Sequence, residues 1–258
     1  MTMRRSERVN FKNPNGITLS GILDLPEHSP IAYGIFCHCF TCTKDLKAIV
    51  RISRRLAEHG LAILRFDFTG LGNSQGDFSE TNFDTNCQDL QAAYNFLADH
   101  HQPPGLLVGH SLGGAAMIHM AHRLKSIRGL VTIASPSSTQ HLADHLSQEN
   151  PAIVEQGQGV VTIGGRSYLL KKQLIDNLRG HDLVSSLEQL RLPHLIFHPD
   201  ADETLPYWHA EKMYELTGGP KSMITLDHSD HLLVKRPEDV GFVADMIHRW
   251  YERYQQSE

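Results

Sequence analysis

The chain has 258 residues, of which 40% are hydrophobic and 21% charged, a balance that excludes a disordered or fibrous protein. Asp and Glu outnumber Lys and Arg by 29 to 24, so the net charge of −5 argues against nucleic acid or an anionic membrane as the main partner. No apolar run approaches the roughly 18 residues of a membrane span, and residues 1–10 are too polar for a secretory signal. We therefore expect a cytoplasmic protein of one domain, residues 1–258, with four reduced cysteines.

Short apolar segments alternate with longer amphipathic ones, the pattern of a mostly parallel sheet covered by helices. Two segments flanking a turn at 13–16 predict an antiparallel hairpin, 5–12 and 17–25. The other predicted strands are 31–38, 61–66, 106–108, 130–134, 194–198 and 223–226. The predicted helices are 45–59, 84–100, 112–125, 207–216 and 237–254. The sequence thus predicts an α/β fold with a central sheet of about eight strands.

Residues 136–192 interrupt this alternation. They contain a predicted hairpin over 160–169, with Gly164-Gly165 as its turn, and a predicted helix near 171–178. An insertion between two core strands commonly forms a lid over a site, and surface decoration is the alternative. We expect a lid because the candidate site described next lies beside it.

The segment Gly109-His110-Ser111-Leu112-Gly113 matches the G-x-S-x-G pattern. A predicted strand directly precedes it and a predicted helix directly follows it. Nucleophilic serines need this setting, because a sharp strand-to-helix turn projects the hydroxyl above the sheet and only glycine fits beside it. The N-terminus of the helix also offers free N–H groups to a developing oxyanion. Ser111 is therefore the candidate nucleophile, and a glycine-rich packing turn is the alternative.

With these motifs the chain resembles an α/β-hydrolase over nearly its whole length. The loop Asp67-Phe-Thr-Gly-Leu-Gly-Asn-Ser74 is similar to the D-x-x-G-x-G-x-S loop of that family. Segments 38–46, 65–74, 76–83 and 163–166 resemble the hydrolase half of bacterial α/β-hydrolase/OsmC fusion proteins. The general outline also resembles short-lid carboxylesterases that act on feruloyl or cinnamoyl esters. The resemblance implies an α/β-hydrolase fold with a small lid insertion.

The family order of serine, acid and histidine directs attention downstream of Ser111. A loop of the family's form follows the predicted strand 194–198, and the resemblance selects Asp202 as the acid, with Asp200 and Glu203 as competitors. In the family, the histidine follows an aspartate and precedes an apolar residue. This pattern selects His231, with His228 as the competitor. In these roles His231 would move the proton of Ser111, and Asp202 would orient the imidazole.

An oxyanion hole needs two N–H donors beside the nucleophile. One is expected from Leu112, the residue after the serine. By the resemblance, the other is the N–H of Phe40, in the loop after the predicted strand 31–38. Cys39 stands where the family usually has glycine, which leaves the shape of this loop open.

Three cysteines, Cys37, Cys39 and Cys42, cluster with His38 near the predicted site. Thiolates and a histidine at such spacing can bind Zn²⁺, but no second pair completes the ligand set, so we expect no metal. Oxidation-sensitive thiols are a second alternative, encouraged by the peroxide-handling OsmC partner of the relatives. Small residues in a half-buried loop are the simplest interpretation.

Together these residues predict a serine hydrolase of the carboxylesterase type, which cleaves a small-molecule ester or thioester without a cofactor. His110, Tyr168 and Trp208 are candidate substrate-binding residues, although each could equally be ordinary packing. The alternatives are a peptidase, amidase, lactonase or perhydrolase on the same triad, and a non-catalytic binding protein. A redox module linked to an OsmC-type protein is a further alternative, and the sequence leaves a homodimer open.

Overall fold

Ten strands form two sheets in the computed structural model, which describes residues 5–255. The strands are β1 (Arg5–Lys12), β2 (Thr18–Leu25), β3 (Ala32–Cys37), β4 (Leu61–Phe66), β5 (Leu106–His110), β6 (Gly129–Ile133), β7 (Gln158–Ile163), β8 (Arg166–Lys171), β9 (His194–Pro199) and β10 (Lys221–Leu226). The helices are α1 (Lys47–Glu58), α2 (Phe83–His100), α3 (Leu112–Met120), α4 (Gln140–Glu149), α5 (Ala152–Glu155), α6 (Lys172–Gly180), α7 (Leu183–Gln189), α8 (Trp208–Leu216) and α9 (Asp239–Gln255). A short 3-10 turn spans Phe78–Glu80.

The central sheet has eight strands in the order β1-β2-β4-β3-β5-β6-β9-β10. β2 runs antiparallel to both of its neighbours in this sheet. From β4 onward in the stated order, each strand runs parallel to the next one. The predicted α/β fold with a mostly parallel sheet of about eight strands is confirmed. Parallel strands place their carboxyl ends at one edge, so the loops after β3, β5, β6, β9 and β10 meet there.

Helices cover both faces of this sheet, as the continuous burial of β4 and β5 requires. One face carries α1 and α9, whose apolar stripes pack with the sheet in one core cluster. The other face carries α2, α3 and α8 in a second cluster. Local signals set the ends of these helices: α2 begins with a capping box, in which Asn82 Oδ1 accepts the N–H of Thr85 and Thr85 Oγ1 accepts the N–H of Asn82.

The chain between β6 and β9 contains α4, α5, the β7–β8 hairpin, α6 and α7. The hairpin turns at Gly164 and Gly165, which both have positive φ angles. The hairpin and α6 match the sequence prediction closely. The prediction missed α4, α5 and α7, because short helices that pack on the rest of the insertion carry weak periodic patterns.

Helix α3 ends at Met120, whereas its apolar spacing predicted a helix up to residue 125. The chain turns there because the N–H of Arg123 bonds to the carbonyl of Met120, and β6 must begin soon after, at Gly129. Residues 1–4, part of the segment that does not resemble a secretory signal, lie outside the described residues. In the described range, no helix combines the length and the apolar character needed to cross a bilayer.

Candidate active site

A cavity of about 600 Å³ opens at the carboxyl edge of the central sheet. Its floor comes from the loops after β3, β5, β6, β9 and β10, and its far wall comes from the insertion between β6 and β9. We call this cavity the pocket. Its lining is mostly apolar around Ser111 and His231, and includes Phe40, Leu46, Leu112, Leu142, Leu146, Ile163, Tyr168, Leu205 and Leu232.

Ser111 occupies the sharp turn between β5 and α3. Its φ of 53° and ψ of −123° are rare for a residue with a side chain. A Cβ on Gly113 would lie 2.5 Å from the carbonyl oxygen of His38, and a Cβ on Gly109 would collide with Gly114. The strained serine and its glycine neighbours form the geometry of a nucleophile elbow.

Asp202 lies in the loop after β9 with a fully buried side chain. Its Oδ1 accepts the backbone N–H groups of Thr204 and Leu205, both at 2.8 Å, and its Oδ2 lies 2.7 Å from Nδ1 of His231. Burial opposes the charged form, but these hydrogen bonds and the imidazole together hold the pKa of Asp202 below its usual value. Asp202 is therefore an ionised acceptor at neutral pH.

The other two acidic residues of this loop have different partners. Asp200 Oδ1 accepts the N–H of His228 at 2.6 Å and so ties the loop after β9 to the loop after β10. The side chain of Glu203 is 90% exposed and lies 4.0 Å from Lys235. Among these three carboxylates, Asp202 is the one bonded to His231.

His231 lies in the loop between β10 and α9, and only 10% of its side chain is exposed. Because the Asp202 carboxylate only accepts, Nδ1 carries the proton and Nε2 is left as an acceptor. His231 and Ser111 line the same pocket, but no hydrogen bond joins Ser111 Oγ to the imidazole within residues 5–255. Such contacts often tighten only when substrate is bound.

Among the residues that line the pocket, two of those beside Ser111 have a backbone N–H without a hydrogen-bond partner in the described part of the chain and were expected to be oxyanion donors. One is Leu112, at the first position of α3, where helices leave N–H groups unpaired and positive potential accumulates. The other is Phe40, in the loop after β3. These are the two N–H groups that the sequence pointed to for an oxyanion hole.

The loop that carries Phe40, residues 38–45, is held at both ends by buried polar groups; we call it the Phe40 loop. At its start, Nε2 of His38 accepts the N–H of Phe68 at 3.2 Å, so Nδ1 donates to the carbonyl of Cys39 at 2.7 Å. Near its end, the carbonyl of Lys44 accepts a hydrogen bond from Arg65 Nη1 at 2.8 Å. Each contact restricts the backbone on either side of Phe40.

Lys44 and Asp67 form a buried ion pair that completes this support. Lys44 Nζ lies 2.6 Å from Asp67 Oδ2 and 2.9 Å from Asn73 Oδ1, and the N–H of Lys44 donates to Asp67 Oδ1 at 2.7 Å. Gly72 passes so close that a Cβ there would collide with the carboxylate, which explains a glycine with a φ of 53°. The motif at 67–74 is visible in the sequence, but the role of Lys44 is not, because a lone lysine carries no signal of its buried partner.

Replacing Lys44 with methionine is expected to destabilise the protein by about 3 kcal/mol, because the variant leaves Asp67 as a buried charge without its cation. We also expect kcat to fall about tenfold as the Phe40 loop loosens. Urea unfolding and ester hydrolysis measure the two effects. Lys47→Met, at an exposed position in α1, is the matched control. Equal stability of the two variants would contradict the structural role of the ion pair.

The structure places the three candidate substrate-binding residues differently. Tyr168 lines the pocket and donates its hydroxyl to the carbonyl of Thr41 at 3.3 Å. The His110 side chain is buried behind the elbow, where Nε2 lies 2.7 Å from the carbonyl oxygen of His231, and it does not belong to the pocket lining. Trp208 lies outside that lining as well, half exposed and stacked on His209 at 3.7 Å. His110 therefore links the serine turn to the histidine loop.

Protein stability is expected to decrease between about pH 7.5 and about pH 5.5, by about 4 kcal/mol. Burial lowers the pKa of His110, His194 and His209 to about 3, and nearby histidines add to the effect at His110 and His209. Each histidine titrates near its ordinary pKa in the unfolded chain, so the unfolded state binds protons first and gains free energy as pH falls.

Urea unfolding at the two pH values measures this difference. His194→Gln removes one of these groups, and the pH-dependent difference in stability should shrink by about 1.4 kcal/mol with it. The same free energy of unfolding at both pH values in the unmodified protein would contradict the prediction.

Cys39 and Cys42 are joined by a disulfide, so the expectation of four reduced cysteines is wrong for this pair. The two residues face each other across a tight turn, with Cα atoms 5.2 Å apart, a distance that suits a disulfide. Cys37 and Cys87 are free and buried, and burial raises the pKa of both thiols, that of Cys87 to about 12. Among residues 5–255, no group of three or more His, Cys, Asp or Glu side chains could hold a metal ion.

Comparisons with known proteins agree with this architecture. Residues 35–156 match the family described as Serine aminopeptidase, S33. The esterase domain of a Rhodothermus marinus protein is 37% identical with a TM-score of 0.77, and the match covers 97% of this chain and 99% of that one. Est1E from Butyrivibrio proteoclasticus, solved with ferulic acid, has a TM-score of 0.83 at 20% identity over 96% of this chain and all (100%) of its own, which shows a shared fold.

Two curated proteins also match most of the chain. The mitochondrial palmitoyl-protein thioesterase ABHD10 of Rattus norvegicus is 26% identical over 251 residues, 89% of this chain and 82% of its own. The uncharacterized protein YfhR of Escherichia coli K12 is 24% identical over 234 residues, 88% of this chain and 74% of its own.

Proposed function

Since the chain belongs to the α/β-hydrolase family, we propose that it is a serine hydrolase that cleaves a carboxylic ester or thioester through an acyl-enzyme on Ser111. The observation that carries this proposal is the pocket itself. The pocket is lined both by a serine on a strained elbow and by a histidine whose Nδ1 is hydrogen-bonded to a buried carboxylate. In this proposal the catalytic residues are Ser111, His231 and Asp202.

The first half of the reaction follows from these positions. Ser111 Oγ attacks the carbonyl carbon of the substrate while Nε2 of His231 takes the hydroxyl proton. The N–H groups of Leu112 and Phe40 stabilise the oxyanion that forms. Collapse of this intermediate breaks the ester or thioester bond, and the imidazolium returns its proton to the leaving alcohol or thiol.

The second half repeats these steps with water. His231 takes a proton from a water molecule, which attacks the acyl-enzyme and releases the carboxylic acid and the free serine. Asp202 keeps the Nδ1 tautomer of His231 and stabilises the imidazolium in both halves. The proposed reaction uses no cofactor.

Residues 136–192 act as the lid in this proposal. Support comes from α4 and the β7–β8 hairpin, which line the pocket opposite Ser111, and from the hydrogen bond of Tyr168 to the Phe40 loop. The lid therefore contacts both the pocket and the loop that carries an oxyanion donor. In such enzymes the lid contacts select the acyl and alcohol groups.

The relatives support an ester or thioester more than other substrates. The 37% identical neighbour is an esterase domain, and ABHD10 is named a thioesterase. The family matched by residues 35–156 is named for an aminopeptidase, so an amide is the second candidate substrate. The cytoplasmic location, the homodimer and the link to an OsmC-type protein stay predictions.

The proposal is tested by labelling the purified protein with a fluorophosphonate and locating the adduct by mass spectrometry. Hydrolysis of p-nitrophenyl esters from acetate to dodecanoate is measured in parallel. We expect one adduct, on Ser111, and turnover that varies with chain length. Labelling of Ser111 without ester turnover shifts the proposal to amides. Absence of both labelling and turnover would overturn it.

A further inference from the structure

We propose that Arg166 binds an anionic group of the substrate, a carboxylate or a phosphate, so that the preferred ester or thioester is negatively charged. This inference rests on the proposed function and adds a substrate class to it. The observation that supports it is a cation on the inward face of the lid hairpin that has no partner among residues 5–255.

The hairpin has two distinct faces because side chains alternate along each strand. Val161 and Leu170 are buried and Tyr168 is half-buried, and all three share the inward face with Arg166. The outward face carries exposed Val160 and Leu169. Arg166 is thus the charged residue on the side that faces the pocket.

Arg166 is also the single lysine or arginine in the described lining of the pocket. Its guanidinium makes no ion pair, side-chain hydrogen bond or aromatic contact with residues 5–255. The other lid cations differ in this respect: Lys171 pairs with Glu80, Lys172 with Asp176, and Arg179 with Asp144.

The acidic residues of the pocket already have partners. Asp45 lies 3.1 Å from Arg65 Nη1 and 3.3 Å from Lys44 Nζ. Glu149, on α4, makes no ion pair with Arg166; its nearest basic group is the exposed imidazole of His145 at 4.0 Å. The free cation is therefore available to a group that enters the pocket from solution. An arginine presents several N–H donors in one plane, which suits the oxygens of a carboxylate or phosphate.

The position of Tyr168 indicates how far this anion lies from the reacting carbonyl. Its hydroxyl donates to the carbonyl of Thr41, next to Phe40, so Tyr168 lies beside the Phe40 loop. Arg166 is two residues before Tyr168 on the same strand, a displacement of about 7 Å. A substrate that reaches Arg166 therefore has several bonds between its charged group and the scissile carbonyl. The apolar lining accommodates the segment between them.

The charged group can belong to the acyl part or to the leaving group, and two matched pairs of substrates distinguish these sources. For the acyl side, mono-p-nitrophenyl adipate is compared with p-nitrophenyl hexanoate, which lacks the terminal carboxylate. For the leaving-group side, hexanoyl-coenzyme A is compared with the hexanoyl thioester of N-acetylcysteamine, which lacks the phosphates. The variants are Arg166→Gln, Arg166→Lys and, as the matched control, Lys172→Gln, which lies in the same lid outside the pocket lining.

We expect the unmodified protein to prefer the charged member of at least one pair. Arg166→Gln should lower kcat/KM for that charged substrate about fivefold to tenfold, mainly through KM, and leave its neutral match within about twofold. Arg166→Lys should keep part of the preference, and Lys172→Gln should keep all of it. Turnover of the neutral substrates without any preference for charge, or equal losses on both members in Arg166→Gln, overturns this inference and leaves the proposed function standing. A protein that hydrolyses none of the four substrates also overturns this inference, and fluorophosphonate labelling of Ser111 then tests the proposed function on its own.

Discussion

Replacing Ser111 with alanine is expected to lower kcat for ester hydrolysis by roughly 10⁴-fold or more, and to abolish fluorophosphonate labelling. The loss is large because the acyl-enzyme cannot form without the hydroxyl, whereas the N–H groups of Leu112 and Phe40 still polarise the substrate. Initial rates on p-nitrophenyl esters at high enzyme concentration measure the residual activity.

A stability measurement separates this chemical effect from misfolding. Alanine keeps a Cβ in the strained backbone at φ 53°, so the free energy of unfolding of Ser111→Ala should match that of the unmodified protein. Ser111→Gly removes the Cβ and should raise the stability by about 1 kcal/mol while remaining inactive. Activity above about 10% of the original in either variant would show that Ser111 is not the nucleophile.

Replacing Asp202 with asparagine is expected to lower kcat by roughly 10³-fold to 10⁴-fold. The two backbone N–H groups of Thr204 and Leu205 donate to Oδ1, so the asparagine oxygen should occupy that position. Its NH₂ group then points at Nδ1 of His231 and forces that nitrogen to accept. The proton moves to Nε2, where it blocks the abstraction of the Ser111 proton.

Asp200→Asn is the matched control, two residues away in the same loop. Its amide oxygen can still accept the N–H of His228, and Asp200 is not bonded to His231. We expect kcat to stay within about threefold of the original value, since this substitution leaves the Asp202–His231 hydrogen bond intact. Similar losses in both variants would show that the loop as a whole, rather than the Asp202–His231 bond, matters.

The serine turn illustrates how far local sequence determines a site. An apolar strand, a serine between glycines and a helix of small residues are all readable from residues 106–120, and the structure has β5, the strained turn and α3 in that order. Steric limits on the backbone act over a few neighbouring residues, so they appear directly in the sequence. The same holds for the buried strands β3 and β4, whose predicted bounds differ from the observed ones by at most one residue.

Other parts of the site depend on contacts between distant segments. Lys44 and Asp67 are 23 residues apart and meet only because β3 and β4 are adjacent and parallel. His110 reaches the carbonyl of His231 across 121 residues. Neither pair has a local signature, since any lysine or histidine could be solvated at the surface. The disulfide between Cys39 and Cys42 likewise depended on the path of the Phe40 loop.

The sequence by itself determined the fold class, the order of the sheet-forming segments and the serine turn, because periodicity and backbone sterics act locally. The resemblance to a family selected Asp202 and His231, each with competitors nearby in the chain. Only the tertiary structure shows that Asp202, and neither Asp200 nor Glu203, is bonded to His231, because this depends on which carboxylate the folded loop turns towards the imidazole. It also placed Arg166 in the pocket without a partner in the described part of the chain, which no local pattern could show, since an ion pair or its absence is a property of the packed chain.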